Sequence, residues 1–153
     1  NLGLEEIKIH EHRGGKYMSI TGIMCIAIKQ VINDNVIGEI FTVYKEEPIP
    51  FHNLLDMVLK IDCLISDIEK LKAQGMKPVP RWTSDKFQTS WKSLYFFLID
   101  VKYSQHSTWQ GTMRYSGKAG EICFKSVLDL LKKMLDIMYM KPIMADMEKR
   151  KHG

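Results

Sequence analysis

The chain has 153 residues, of which 45% are apolar and 26% are charged, and its formal net charge is +4. This composition is typical of a globular domain that can bury a core, and it excludes collagen-like, coiled-coil and disordered chains. The basic excess is too small to require a nucleic-acid partner, and the longest apolar runs, residues 20–28 and 94–99, are too short to span a membrane.

The first half of the chain predicts several strands followed by one helix. Strands are predicted at residues 4–12, 17–29, 36–44 and 49–51, with turn-forming residues between them. Pro48 and Pro50 place the last strand at a sheet edge, because proline has no N–H to donate to a ladder. Asn53 is predicted to cap a helix with an apolar stripe that ends at Gly75.

The second half predicts the same order of elements after a linker at residues 76–92, which contains two prolines. Strands are predicted at residues 94–103, 109–115 and 121–124. Ser126 is predicted to cap the helix that follows, and Pro142 is predicted to end it. A charged tail covers residues 143–153.

An internal repeat connects the two halves. Residues 22–67 align without a gap with residues 95–140, and nine positions are identical, where an unrelated pair would share roughly three. The identities include Gly38 with Gly111 and Phe51 with Phe124. We therefore predict an α+β fold made by tandem duplication of a β-β-β-α unit, with one or two antiparallel sheets and a pseudo-twofold axis. The predicted divisions are residues 1–75, 76–92, 93–142 and 143–153, within one compact domain.

The three cysteines predict a reducing compartment. Cys25, Cys63 and Cys123 form no C-x-x-C pair, and each has apolar neighbours in the sequence. We interpret them as reduced core thiols of a cytoplasmic protein, and the absence of a basic and apolar leader favours the same location.

The commonest catalytic signatures are absent from the sequence. It contains no phosphate loop, nucleophile elbow or H-E-x-x-H motif. His10 and His12 would share one face of a strand, but no further ligand completes a metal site. Asp56 and Asp129 follow the two helix caps, where a carboxylate stabilises the helix, although an acid and base pair is an alternative. We expect a protein without catalytic activity, cofactor or metal.

The linker has a residue pattern that suggests nucleic-acid binding as an alternative to protein binding. It interleaves basic and aromatic residues, which is typical of surfaces that bind single strands: Arg81, Trp82, Lys86, Trp91 and Lys92. Arg114, Lys118 and Lys125 would add positive charge to such a surface. The competing interpretation is that the linker aromatics pack on the core.

The loop before the second hairpin strand is the most chemically varied segment of the chain. His106, Trp109 and Gln110 lie in it and Arg114 follows, whereas the equivalent loop of the first half has neither His nor Trp. An exposed Trp109 would mark a site for a protein partner or for self-association, and a buried one would indicate packing. A small enzymatic site near His106 is a further alternative.

The strand and helix that follow this loop resemble a known family. Thr108-Trp109-Gln110-Gly111-Thr112, then Phe124 and Ser126 with the leucines after them, is similar to small uncharacterised bacterial proteins that have a W-Q-G strand and an F-x-S-x-x-x-L helix start. The resemblance covers residues 95–140 and implies no activity. We therefore predict a non-catalytic protein-interaction or regulatory module.

Overall fold

The computed structural model describes residues 23–78, 85–103, 109–116 and 120–140. Within these ranges the chain forms six strands and three helices, so the predicted α+β class is confirmed. The strands are β1 (Ile23–Ile32), β2 (Asn35–Phe41), β3 (Ile49–Phe51), β4 (Tyr95–Tyr103), β5 (Gln110–Tyr115) and β6 (Ile122–Phe124). The helices are α1 (Leu54–Ala73), α2 (Asp85–Ser90) and α3 (Val127–Leu135), and α3 continues as a π-helical turn, Asp136–Met140. The predicted strand at residues 4–12 lies outside the described residues.

The six strands form one antiparallel sheet in the order β3-β2-β1-β4-β5-β6. The central pair, β1 and β4, joins the first three strands to the last three. In this pair Cys25 lies opposite Leu98. These two residues are 73 positions apart, which is the distance between equivalent positions of the internal repeat. Of the two arrangements left open by the sequence, one sheet or two, the structure has one.

The strands of the two halves pair in corresponding registers. Gly38 lies opposite Phe51, and Gly111 lies opposite Phe124. The register of β1 against β2 shifts between Ile28 and Gln30, and the register of β4 against β5 shifts between Val101 and Tyr103. Lys29 and Lys102 are therefore the extra residues of two β-bulges.

The hairpin between β1 and β2 has a two-residue turn. Asn33 and Asp34 both have positive φ, 51° and 66°, which is the conformation of a type I′ turn. Asparagine and aspartate tolerate this left-handed backbone better than most residues. Strand β1 continues to Ile32, three residues beyond its predicted end, and β2 ends at Phe41 rather than at Tyr44.

Helices α1 and α3 cover one face of the sheet, and the apolar stripe predicted for α1 is confirmed. Met57, Ile61, Leu64 and Ile68 of α1 are buried in a cluster that also contains the inward side chains of the strands. Leu130 and Met134 of α3 belong to the same cluster. None of the described helices combines the length and apolar character needed to cross a bilayer.

The opposite face of the sheet is covered in part by α2, which lies inside the segment predicted as a linker. Phe87 of α2 is fully buried against Phe41 and Phe96, with ring centroids 5.6 and 5.4 Å apart. The same cluster contains Cys25, Ala27 and Val43. The described part of the fold therefore has three layers: two long helices, the sheet and the short helix α2.

The cysteine prediction is only partly correct. All three thiols are free, and Cys25 is buried in the cluster that contains Phe87 of α2. Cys63 and Cys123, which we expected in the core, are exposed. Cys63 lies off the buried stripe of α1, and Cys123 lies between two residues whose side chains point to the opposite face of β6.

Candidate functional site

The residues predicted for partner binding around Trp109 do not form one exposed surface. Trp109 is only 1% exposed and belongs to the core beneath α1 and α3, which agrees with the packing interpretation. Gln110 is exposed, and Arg114 pairs with Glu121 at 3.2 Å. His106 lies outside the described residues. The indole cannot contact a partner from this buried position.

The described part of the linker directs its aromatic rings to the sheet. Trp91 is half-buried, with its ring centroid 4.5 Å from that of Phe96. Lys86 pairs with Glu47, and Lys92 is exposed. Arg81 and Trp82 lie outside the described residues. Trp91 is therefore held against the core, and a nucleic acid could stack only on its exposed part.

Asp56 has a structural role at the start of α1. Its backbone N–H donates to the Asn53 side chain at 2.7 Å, and its carboxylate accepts from the His52 backbone N–H at 3.0 Å and from Lys60 at 3.2 Å. The His52 N–H is the main cause that lowers the pKa of Asp56 below its ordinary value. The carboxylate is therefore kept ionised and engaged in the helix cap.

Asp129 has the same role at the start of α3. Its N–H donates to Ser126 at 3.0 Å, and its carboxylate accepts from the Lys125 N–H at 2.9 Å and from Lys133 at 3.1 Å. The Lys125 N–H is the main cause that lowers the pKa of Asp129. Both carboxylates are thus accounted for by helix capping, and neither has the raised pKa expected of a general acid.

A cleft on the α2 side of the sheet is a stronger candidate site. It lies between α2, the bulge of β1, the middle of β2 and the connection from β2 to β3, and it has a volume of about 500 Å³. We call it the α2 cleft. Its lining residues are Lys29, Glu39, Glu47, Pro48, Pro50, Asp85, Lys86, Thr89 and Ser90.

The base of the α2 cleft is a hydrogen-bonded group of three side chains. Lys29 donates to the Ser90 hydroxyl at 2.8 Å and lies 3.5 Å from Glu39 Oε1. Ser90 also donates weakly to the same carboxylate oxygen, at 3.4 Å. Ser90 is only 2% exposed, whereas the side chains of Lys29 and Glu39 are about one-third exposed, at 32% and 29%. The base is therefore fixed by the fold and accessible through its charged groups.

The rim of the cleft combines charge with rigid apolar surface. Lys86 and Glu47 form an ion pair between α2 and the β2–β3 connection. Pro48 and Pro50 also line the cleft. Asp85 also lines the cleft, and in the described part of the chain its carboxylate has no ion-pair partner. One negative charge is thus left available to a bound molecule.

Among these residues, only Lys86 is predicted from the sequence to be a candidate binding residue. Lys29 and Ser90 are 61 positions apart, and Ser90 and Glu39 are 51 apart, so no local motif connects them. Lys29 reaches the cleft because it occupies the bulge of β1, and the bulge has no clear signal in the sequence. Helix α2 lies within residues 76–92, which the sequence predicts to be a linker, so this helix was not predicted.

The described residues contain no cluster of three or more His, Cys, Asp or Glu side chains arranged to hold a metal ion. The pair His10 and His12 lies outside the described residues. Comparisons of the chain with protein-family models, with curated proteins and with solved structures found no match. The α2 cleft is therefore interpreted from its own geometry.

Proposed function

We propose that this chain is a non-catalytic protein-interaction module and that the α2 cleft holds a segment of the partner protein. The observation that carries the proposal is the cleft itself, which has a fixed polar base, two prolines in its lining and, at Asp85, a carboxylate without an ion-pair partner among the described residues. Preorganised polar groups beside rigid apolar surface are typical of recognition sites, because little side-chain entropy is lost when they bind.

The hydrogen bonds at Ser90 favour binding over catalysis. A serine nucleophile needs a neighbouring base that accepts the hydroxyl proton. Here the Lys29 ammonium donates to the hydroxyl at 2.8 Å, while the Glu39 oxygen that can accept the proton is at the limit of hydrogen bonding, at 3.4 Å. The hydroxyl therefore acts as a bridge between two charged groups.

We further infer that the scaffold of the cleft is a tandem duplication of the β-β-β-α unit about a pseudo-twofold axis near Cys25 and Leu98. The corresponding registers, the bulges at Lys29 and Lys102 and the matching helix caps support this inference. The second unit has Thr112 at the position of Glu39, and α2 lies in the chain between the two units. The cleft would then be a feature that one unit acquired.

A random-peptide display library panned on the immobilised protein tests the proposed function. Thr89→Trp places an indole at the cleft from an exposed position of α2, and Gln88→Trp is the matched control on the same helix outside the cleft lining. We expect enriched peptides that bind Thr89→Trp about tenfold more weakly than the unmodified protein and bind Gln88→Trp unchanged. Failure to enrich any peptide, or equal binding to both variants, would contradict the proposal.

A further inference from the structure

We propose that the group bound in the α2 cleft is an arginine side chain of the partner, an inference that rests on the proposed function. Among the described residues, two lysines and three carboxylates line the cleft. Lys29 is matched by Glu39 and Lys86 by Glu47. Asp85 is the remaining charge, so the described part of the lining has a formal excess of one negative charge that a cationic ligand neutralises.

The carboxylates retain acceptor capacity in addition to this charge. Lys29 and Ser90 both contact Oε1 of Glu39, which leaves Oε2 of Glu39 for a ligand. Asp85 contributes two further oxygens. Ionised carboxylates accept hydrogen bonds readily, and a guanidinium group presents five N–H donors in a planar fork that fits carboxylate geometry. An anionic ligand would instead face three carboxylates and leave Asp85 unpaired.

The shape of the cleft favours arginine over a small cation. Pro48 and Pro50 provide ring surfaces, and neither has an N–H that a ligand would have to satisfy. The three methylenes of an arginine stem can pack on such surfaces while the charged head reaches the carboxylates. Guanidinium is also less strongly hydrated than ammonium, so its partial desolvation in this open cleft costs less than that of lysine.

A titration monitored by ¹H–¹⁵N correlation spectra tests this proposal with N-acetyl-L-arginine amide as the probe. Citrulline, in the same blocked form, has nearly the same shape without the charge. We expect saturable shifts at backbone amides of residues 39, 47, 49 and 85–90 with the arginine probe, and affinity about tenfold lower with the citrulline probe. No localised shifts, or equal affinity for the two probes, would overturn the proposal.

Two variants test whether the Asp85 carboxylate is responsible for arginine binding. Asp85→Asn removes the unpaired charge, and Asp62→Asn makes the same change at an exposed position of α1 away from the cleft. We expect the first variant to weaken arginine binding about tenfold and the second to leave it unchanged, with thermal melting showing that both are folded. Unchanged binding by folded Asp85→Asn would overturn the assignment.

The two proposals fail in different ways. If library peptides bind in a manner sensitive to Thr89→Trp but contain no arginine, the arginine assignment is wrong and the interaction module stands. If no peptide binds at the cleft, the proposed function itself is wrong.

Discussion

Two glycines allow the closest approach between a strand and the chain beside it. A Cβ added to Gly38 would lie 2.1 Å from the carbonyl oxygen of Ala27 and 2.8 Å from the ring of Phe51. A Cβ added to Gly111 would lie 1.9 Å from the carbonyl oxygen of Asp100 and 3.1 Å from the ring of Phe124. Because the first obstacle is backbone in both cases, a rotamer change cannot relieve it.

We expect Gly38→Ala and Gly111→Ala each to lower the free energy of unfolding by about 3 kcal/mol, because neighbouring strands must move apart. Gly75→Ala is a control of a different kind. Gly75 has a φ of 81° but nothing within 4 Å of an added Cβ, so only backbone strain of about 1 kcal/mol is expected. Urea denaturation monitored by circular dichroism measures all three. If Gly38→Ala lowered the free energy of unfolding no more than Gly75→Ala does, the steric explanation would be wrong.

The residue scale also shows what the sequence can predict. The sequence predicts Asn53 and Ser126 as caps, and the side-chain oxygen of each accepts a hydrogen bond from the backbone N–H three residues later. These caps are predictable because a cap depends on residues only three positions away. The predicted location of Cys63 was wrong, although its position off the apolar stripe of α1 was visible in the sequence. Ser90 was not identified, because its burial depends on strands far away in the chain.

At the scale of elements, the two edge strands are protected by lysines. Strands β3 and β6 have three residues each, and the carbonyl of the middle residue accepts from a helix lysine. Lys60 donates to the Pro50 carbonyl at 2.6 Å, and Lys133 donates to the Cys123 carbonyl. A short edge with its outer carbonyl occupied is a poor template for another strand. The edges differ because Pro50 has no N–H, whereas Cys123 has one.

This difference predicts unequal effects of two equivalent substitutions. Lys133→Met leaves the N–H and the carbonyl of Cys123 open to a strand of another molecule, while Lys60→Met exposes only a carbonyl. We expect faster aggregation of Lys133→Met under mild heating with reductant, by several-fold in light scattering, and little change for Lys60→Met. Each substitution should cost less than about 1 kcal/mol of stability, because both ion pairs are partly exposed. Equal aggregation of the two variants would show that the proline does not protect β3.

The short helix α2 was the element that the sequence did not predict. Two prolines and a polar composition favoured a linker at residues 76–92, and Asp85–Ser90 is only six residues long. Such a short helix is not stable in isolation, so it forms because Phe87 packs on the apolar face of the sheet opposite α1. The long helices, in contrast, have enough periodic residues to be recognised from the sequence.

At the scale of the whole molecule, α2 covers part of one face of the sheet, where it packs on residues of β1, β2 and β4. It packs on the cluster that contains Cys25 and Phe96, while Cys63 and Cys123 are on the surface. Burial also raises the pKa of the Cys25 thiol well above its ordinary value, which lowers its thiolate fraction. The reactivity of Cys25 therefore reports how often α2 separates from the sheet.

We expect dithionitrobenzoate to modify two thiols rapidly and the third slowly in the native protein. Phe87→Ala removes the buried ring from α2, a change that typically costs about 3–5 kcal/mol, and should raise the rate of the slow phase at least about tenfold. Leu55→Ala is the control, because Leu55 is 69% exposed on α1 and should leave that rate unchanged. If all three thiols of the native protein were modified at the same fast rate, α2 would not protect Cys25.

The central pairing of β1 with β4 has a consequence for the nascent chain. Cys25 meets Leu98 only after the residues between them have been synthesised, whereas β1, β2, β3 and α1 are contiguous and can associate earlier. Until then, the edge of β1 that will receive β4 has not yet met its native partner strand. Where several chains are made close together, β1 of one chain can pair with β4 of another and form an exchanged dimer with native contacts. The rate at which β1 pairs with β4 of the same chain thus decides whether the chain folds as a monomer or as an exchanged dimer.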